Sequence, residues 1–361
     1  MDFAQLDKDY GHFYAPVFEI EVEGRNLIRE GMIISGVTVD QSLDEADHFS
    51  FTIDHAFDAI AGDMKWMDLF LPATKRLTIR MGYAGKLKLM LVGMVTSMTV
   101  KFPASGAPQL EVSGLDLSNK LMQKKEPRSW NNMKHSDVVA ALAAEYRLKS
   151  AVEDTKVPYP KITKDAGKND FQLIQSFAQK NYFEFFVFGD TLTFRAPALD
   201  SAPVVKLEWH KTLISFQPEL NFAGQVEEVE VRGWDPKAKK EIVGTARVGD
   251  EAGKQSHSKE KSGGELISSS SSEKISENAR YPVFSQQEAD QLARSILNQH
   301  AEGLIKGSAE SIGIPDIQPG KRIELDGLGK RFSKAYYIEK STHTIGGSGY
   351  TTTFHVKENA L

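Results

Sequence analysis

At 361 residues the chain has room for two or three domains, and its formal net charge of −5 excludes a general nucleic-acid binder, which needs a basic excess or a basic stripe. Hydrophobic residues at 40% and charged residues at 26% are ordinary globular values, enough to fill more than one core, and no run of about 20 apolar residues exists to span a bilayer. The absence of cysteine removes disulfides, thiolate zinc sites and cysteine nucleophiles together. The opening residues, MDFAQLDKDYGHFYAP, carry Asp and Tyr where a signal peptide needs a basic start and an apolar run. Synthesis in the cytoplasm without a signal peptide is therefore expected, with any export by a route other than Sec.

Residues 17–22 (VFEIEV), 32–39 (MIISGVTV) and 48–54 (HFSFTID) alternate apolar and polar positions as half-buried strands do. In the last of these Phe49, Phe51 and Ile53 share one face. Further strands fall within 77–112, and together they predict a first antiparallel β domain over 1–116, a small barrel or sandwich.

The character changes after Leu115. Ser136 or Asp137 can cap a helix with Val139, Leu142, Ala143 and Tyr146 on one face. A Pro-punctuated connection, VPYPK at 157–161, leads to a second helix from Asn169 or Asp170, its inward face Phe171, Ile174, Phe177 and Ala178. Asn181 is expected to stop that helix in the left-handed conformation. Residues 182–188 and 191–194 read as a hairpin on Gly189-Asp190. The aromatic run Tyr182, Phe183, Phe185, Phe186 and Phe188 is expected to fill the sheet rather than to form a ligand platform. This makes 117–203 an α/β insertion.

A second β region is expected over 204–361. Strands at 226–233 and 241–248 flank a turn at Trp234-Asp235-Pro236, with Trp234 read as a buried aromatic. The polar tract 249–276 reads as a mobile loop, so deleting 256–274 should spare the fold. Ser285, with Glu288 three residues on, opens a helix over 285–300 whose apolar face is Ala289, Leu292, Ala293, Ile296 and Leu297. The chain returns to strand from Leu304 and closes with a meander over 320–356, alternating through Ile323, Leu325, Tyr337, Thr342, Thr344, Thr352, Phe354 and Val356. The stretch 75–113 has the same order of parts. Lys75, Arg76 and Leu77 stand against Lys321, Arg322 and Ile323, and one β unit is repeated roughly 240 residues later.

Little here points to chemistry. Asp44, Glu45, Asp47, His48, Asp54, His55 and Asp58 are metal-ligand types, but His48 and Asp54 would lie about 20 Å apart on one strand, so a solvated strand rim is expected. His343 and His355 are placed on facing strands, on a polar barrel face, and His300 serves as a cation at a helix C-terminus. The 326–330 stretch DGLGK lacks phosphate-loop spacing and reads as a turn, while 346–349 lacks the spacing of a nucleophile elbow. No catalytic, cofactor-binding or metal residue is assigned, and no cofactor.

In order along the chain, Ser113-Gly114-Leu115-Asp116-Leu117, then Asn169-Asp170-Phe171 through Leu192-Thr193-Phe194, then Gly233-Trp234-Asp235-Pro236 with Lys240 and Gly244 carry a resemblance. It continues through Pro319-Gly320-Lys321-Arg322-Ile323 and Tyr336-Tyr337-Ile338 to His343, Gly349-Tyr350 and Thr352. The chain resembles the phage late control D family of contractile-tail baseplate hubs, and is similar to the hub half of the VgrG spike of type VI secretion and related injection systems. The resemblance implies a mainly β (α+β) homotrimer whose two similar barrels per copy make a pseudo-sixfold ring, adapting a threefold spike to a sixfold inner tube. The implied partners are a trimeric spike, inner tube proteins and other baseplate proteins, in a virion or injection particle, with no membrane insertion. VgrG-type chains continue into an oligosaccharide-binding-like barrel and a needle where this one reaches Leu361, so a spike on a separate polypeptide is expected. A cell-wall hydrolase and a free carbohydrate-binding β protein are the alternatives.

Overall fold

The computed structural model describes residues 1, 3–71, 75–235, 238–253, 260–269 and 275–361. Helix α1 (Phe3–Asp9) precedes β1 (Pro16–Val22), whose alternation buries Ile20 and Val22, and β2 (Arg25–Asn26) folds back on it. Strands β3 (Ile33–Ser42) and β4 (His48–Asp54) follow, with Phe49, Phe51 and Ile53 buried as the alternation predicts. A small hairpin, β5 (Phe57–Asp58) with β6 (Asp63–Met64), and α2 (Met67–Phe70) lead into the first meander, β7 (Arg76–Tyr83), β8 (Lys86–Lys101) and β9 (Gln109–Asp116).

The insertion comprises β10 (Arg128–Lys134), α3 (His135–Glu145), β11 (Lys149–Val152), β12 (Pro158–Lys164), α4 (Asp170–Asn181), β13 (Glu184–Phe188) and β14 (Thr191–Arg195). Its core, including Leu142, Ile174, Phe177, Leu192 and Phe194, also takes in Val92 and Met94 of β8, which fixes the insertion to the first meander. Three local expectations need correction. The α3 N-cap is Lys134, because Asp137 sits three residues on and its carboxylate accepts the Lys134 N–H at 3.0 Å. The VPYPK connection belongs largely to β12, paired antiparallel with β10. Tyr182, not Asn181, takes the left-handed conformation (φ 53°), since the Asn181 amide is used inside, on the Phe177 carbonyl at 2.6 Å and near His135 Nδ1 at 2.9 Å.

Beyond the insertion come β15 (Val205–Glu208), β16 (Leu213–Leu220), β17 (Glu228–Asp235), β18 (Lys240–Arg247), α5 (Gly263–Ser268), β19 (Ser276–Arg280) and α6 (Gln286–Ala301). The chain ends in β20 (Ile305–Ile312), β21 (Arg322–Asp326), α7 (Gly329–Phe332), β22 (Lys334–Gly346) and β23 (Gly349–Glu358). Strands β18, β17 and β19 form a side sheet of their own, covered by α6 over a separate small core. Ser285 caps α6 as expected, accepting the Glu288 N–H at 3.2 Å, while the Glu288 carboxylate reaches back to the Phe284 N–H at 2.8 Å.

Trp234 lies on β17 with 57% of its surface exposed, which overturns its reading as a buried aromatic: the side sheet is too narrow to cover that end of the strand. Trp234→Ala is therefore expected to shift stability by no more than ~0.5 kcal/mol. Urea unfolding of the two proteins checks this, and a loss of several kcal/mol would show the indole to be buried. The 249–276 tract also differs from a structureless loop. Ser262 and Glu265 cap α5 reciprocally, Ile267 is buried, Glu251 accepts the Ser262 hydroxyl at 2.9 Å, and Lys261 exchanges backbone bonds with Leu361. Deleting 256–274 would remove that helix, so it is not a neutral change. Positions 254–259 and 270–274 of the tract lie outside the described residues.

The remaining strands join into one large, mostly antiparallel sheet with neighbour order β16-β20-β23-β22-β3-β4-β9-β8-β7-β1-β2, while β21 pairs with β22 and β15. Side chains from both halves, Phe49, Phe51 and Leu77 with Ile323, Tyr336 and Phe354, share one core, each such burial stabilising by roughly 1.5–3 kcal/mol. The duplication read from the sequence reaches further than the two meanders. The first half orders its strands β3-β4-β9-β8-β7-β1 and the second β16-β20-β23-β22-β21-β15, and each series is drawn from the chain in the same sequence. One difference stands: β1 runs antiparallel to β7, whereas β15 runs parallel to β21.

Candidate functional site

The insertion, α6 and the second half meet at a set of buried charges. Glu184 of β13 accepts Arg195 Nε at 2.8 Å and the Tyr337 hydroxyl at 2.6 Å, and Arg195 Nη2 also donates to the Gly320 carbonyl at 3.0 Å. Burial raises the Glu184 pKa above its ordinary value, and the Tyr337 and Arg195 bonds oppose that rise. Close by, Lys357 Nζ lies 2.9 Å from Glu302 and 3.3 Å from Glu339, and the Tyr182 hydroxyl donates to Glu302 at 2.6 Å. These pairs tie the insertion, the end of α6 and the second half to one another.

Beside it a cavity of about 520 Å³ opens between the first half, the insertion and the Gln318–Lys321 turn, lined in part by Asp47, Phe186, Phe188, Arg195 and Lys321. Phe185 of the aromatic run fills the insertion core as expected, while half-buried Phe186 and Phe188 face this cavity instead. Asp47, expected on a solvated rim, is buried. Its carboxylate accepts the Ser42 N–H at 2.9 Å, and its carbonyl accepts the N–H of Asp116, which is buried too. Burial, then the nearby Asp116 charge, pushes the Asp47 pKa well up, and burial pushes that of Asp116 up to about 7.

This carboxylate pair makes stability depend on pH. Unfolded, Asp116 titrates near the ordinary value of about 3.9; folded, it holds its proton to about 7. Folding therefore takes up a proton between those values, and the stability present below pH 4 declines as pH rises to 7. Asp116→Asn keeps the oxygen that accepts the Ser118 N–H and hydroxyl and removes the charge. The variant should be more stable than the parent by a few kcal/mol at pH 8 and nearly equal to it at pH 4. Urea unfolding across that range checks it, and an advantage that does not grow with pH would remove the argument.

The other acidic and histidine candidates stay apart, and among the described residues no three His, Asp or Glu side chains come together as a metal cage. Asp44, Glu45 and His55 are exposed. Asp54 accepts the Gln109 amide at 2.7 Å, Asp58 closes its own turn on the N–H groups of Ile60 and Ala61, and His48 Nδ1 lies 3.7 Å from Asp40. His343 and His355 do not face each other. Adjacent strands put them on opposite sides of the sheet, so His355 is exposed and His343 is fully buried. The His343 Nε2–H donates to the Ile317 carbonyl at 2.8 Å, its Nδ1 accepts from Tyr350 or Thr352, and burial lowers its pKa to about 4. Thr342 and Thr344 lie on the outer side of β22, because the β22·β23 register slips between Ile338 and Lys340 and gives the inner side to Ser341, His343 and Ile345. His300 sits in the last turn of α6 with Nε2 2.6 Å from Glu277. The 326–330 stretch is a turn running into α7.

Sequence reasoning passed over His135, buried and stacked between Tyr159 and Phe177 at 4.2 and 4.1 Å, its pKa lowered to about 3 by burial. It also passed over the Glu184–Tyr337 bond. The one signal available for that bond was a carboxylate in the middle of a run of aromatic residues, an expensive place for an unpartnered charge.

The architecture is shared with solved proteins. The chain is similar to a 43 kDa prophage tail protein from Shewanella oneidensis (TM-score 0.70, 10% identity, covering 95% of this chain and 98% of that one). It is similar to a tail protein from Neisseria meningitidis (TM-score 0.69, 14% identity, 96% and 97% covered) and to a component of the E. coli type VI secretion system (TM-score 0.58, 10% identity, 93% and 76% covered). At these identities the likeness is one of fold. No curated protein matches the sequence. A family model described as the Alg8 N-terminal domain does match, over 15–347. That span takes in the first meander, the insertion, the side sheet and all of β22, and the chain belongs to the Alg8 N-terminal domain family.

Proposed function

We propose that the chain is a non-enzymatic structural component of a contractile tail or injection particle, a baseplate hub of the late control D and VgrG-like kind. Three copies close into a ring of six barrel-like halves that adapts a threefold spike to a sixfold inner tube and encloses the central channel. The observation that carries the reading is the doubled strand order: two halves with the same six strands in the same neighbour order let one threefold object present six similar faces. The fold shared with tail proteins along nearly the whole chain supports it. Other baseplate proteins would meet the insertion and the outer rim, and the finished protein would reside in the assembled particle.

Mass measurement in solution, followed by electron microscopy, tests the proposal. A homotrimer with six similar lobes around a channel is expected. A monomer, or clearing of purified peptidoglycan by this chain alone, would favour a free binding protein or a cell-wall hydrolase instead.

A further inference from the structure

The repeat identifies a pair of strand edges that a second copy of this chain would join. Strand β22 uses one edge for β23 and divides the other: residues 334–337 pair with β21 and 340–345 with β3. The last of these contacts holds the two halves together. Strand β8 is its counterpart. One edge takes β9, the other takes β7 along 86–94, and beyond that the second edge, at 97–101, has no strand partner among the described residues. The counterpart of β3 is β16, which ends the sheet with β20 on one side and no strand on the other among the described residues.

Register irregularities occur at matching places and align the repeats residue by residue. The β8·β9 pairing slips between Val95 and Ser97, and β22·β23 between Ile338 and Lys340. Likewise β3·β4 slips between Ile34 and Gly36, and β16·β20 between Leu213 and Ser215. Ser97 thus answers to Lys340, and Ser215 to Gly36.

Building on the ring reading above, the geometry points to β16 of one copy pairing antiparallel with 97–101 of β8 in the next, repeating between copies the β3·β22 junction made within each. Transferring the observed register sets Gln217 opposite Lys101, Pro218 opposite Val100, Glu219 opposite Thr99 and Leu220 opposite Met98. The side-chain chemistry agrees with the transfer. Met98, Val100 and Leu220 are half-buried hydrophobics already packed against the core, and the junction would extend that core across the contact. Phe216, on the same face, would meet Phe102, which leaves 65% of its surface exposed in a single copy. On the outer face every pair is polar. The internal junction there sets the Thr342 hydroxyl on Asp40 at 2.6 Å, and Thr99 could bond Glu219 in the same way. Pro218 lacks an N–H, so its position contributes at most one ladder bond. A proline on an exposed edge also discourages pairing in other registers.

The chain has no cysteine, so a disulfide can be read without background. Lys101 and Gln217 are exposed, and their counterparts Thr344 and Thr38 hold their hydroxyl oxygens 3.4 Å apart, close enough for Cys side chains at those places to bond. Oxidised full-length K101C/Q217C should migrate at two and three chain masses on a non-reducing gel and return to one on reduction. The out-of-register variant S97C/Q217C should not. A trimer by mass that fails to cross-link, or one that cross-links equally in both variants, would overturn this edge pairing and leave the ring reading standing. A monomer before and after oxidation would overturn both.

Discussion

Replacing Lys164 with Met is expected to destabilise the insertion by about 3–5 kcal/mol, the usual cost of leaving a buried charge without its partner. Lys164 Nζ lies 2.5 Å from Asp170 Oδ1, and both side chains are 3% exposed. The other Asp170 oxygen accepts the Tyr146 hydroxyl at 2.5 Å, and Lys164 also donates to the Lys124 carbonyl at 3.3 Å. These four residues tie β12, α4, the end of α3 and the chain before β10 to one another. Met keeps the length of the lysine stem, so little packing is lost, and the deficit comes from the stranded carboxylate. The double variant K164M/D170L should recover much of the loss, because it removes both charges. Urea unfolding with hydrogen exchange over 128–195 reads the effect. A single-variant loss below about 1 kcal/mol would mean that water reaches the pair.

Gly244→Val is expected to cost about 3 kcal/mol or more, by overpacking that no rotamer change can relieve. A Cβ at Gly244 would stand 2.2 Å from the carbonyl carbon of Ala289 and 2.6 Å from the N of Asp290, both backbone atoms of α6. The helix would have to lift from the side sheet. That would expose Ala289, Ala293 and Leu297 and strain the bonds from Ser295 and Gln299 to the Gln179 carbonyl of α4. Gly347→Ala is the matched control, since nothing lies within 4 Å of the added carbon. Thermal unfolding followed by circular dichroism should show a large drop for the first and almost none for the second. Equal melting temperatures would mean that α6 does not rest against β18.

Much of the local structure was legible in the residues. The alternation at 48–54, the caps at Asn169 and Ser285, the hairpin on Gly189-Asp190 and the two meanders all appear where the pattern put them. Misreadings collect where a residue's environment comes from elsewhere in the chain. Trp234 was read as buried because aromatic residues usually are, yet the side sheet leaves it open. The polar composition around 262–268 hid a helix whose cap depends on the pairing of Ser262 with Glu265 and whose cover includes the chain's last residues.

The amino-acid sequence by itself determined the type and order of most elements and the presence of a repeated β unit, because alternation, capping and turn chemistry act between residues a few positions apart. Only the tertiary structure decided which strand edges are joined, that β3 meets β22, that Asp47 lies buried beside Asp116, and that His343 points inward while His355 points out. The partners in the strand junction and in the carboxylate pair stand tens to hundreds of residues apart, and the two histidines part because neighbouring strands bring them to opposite sides of one sheet. Local periodicity carries no information about which distant surface will cover a given face.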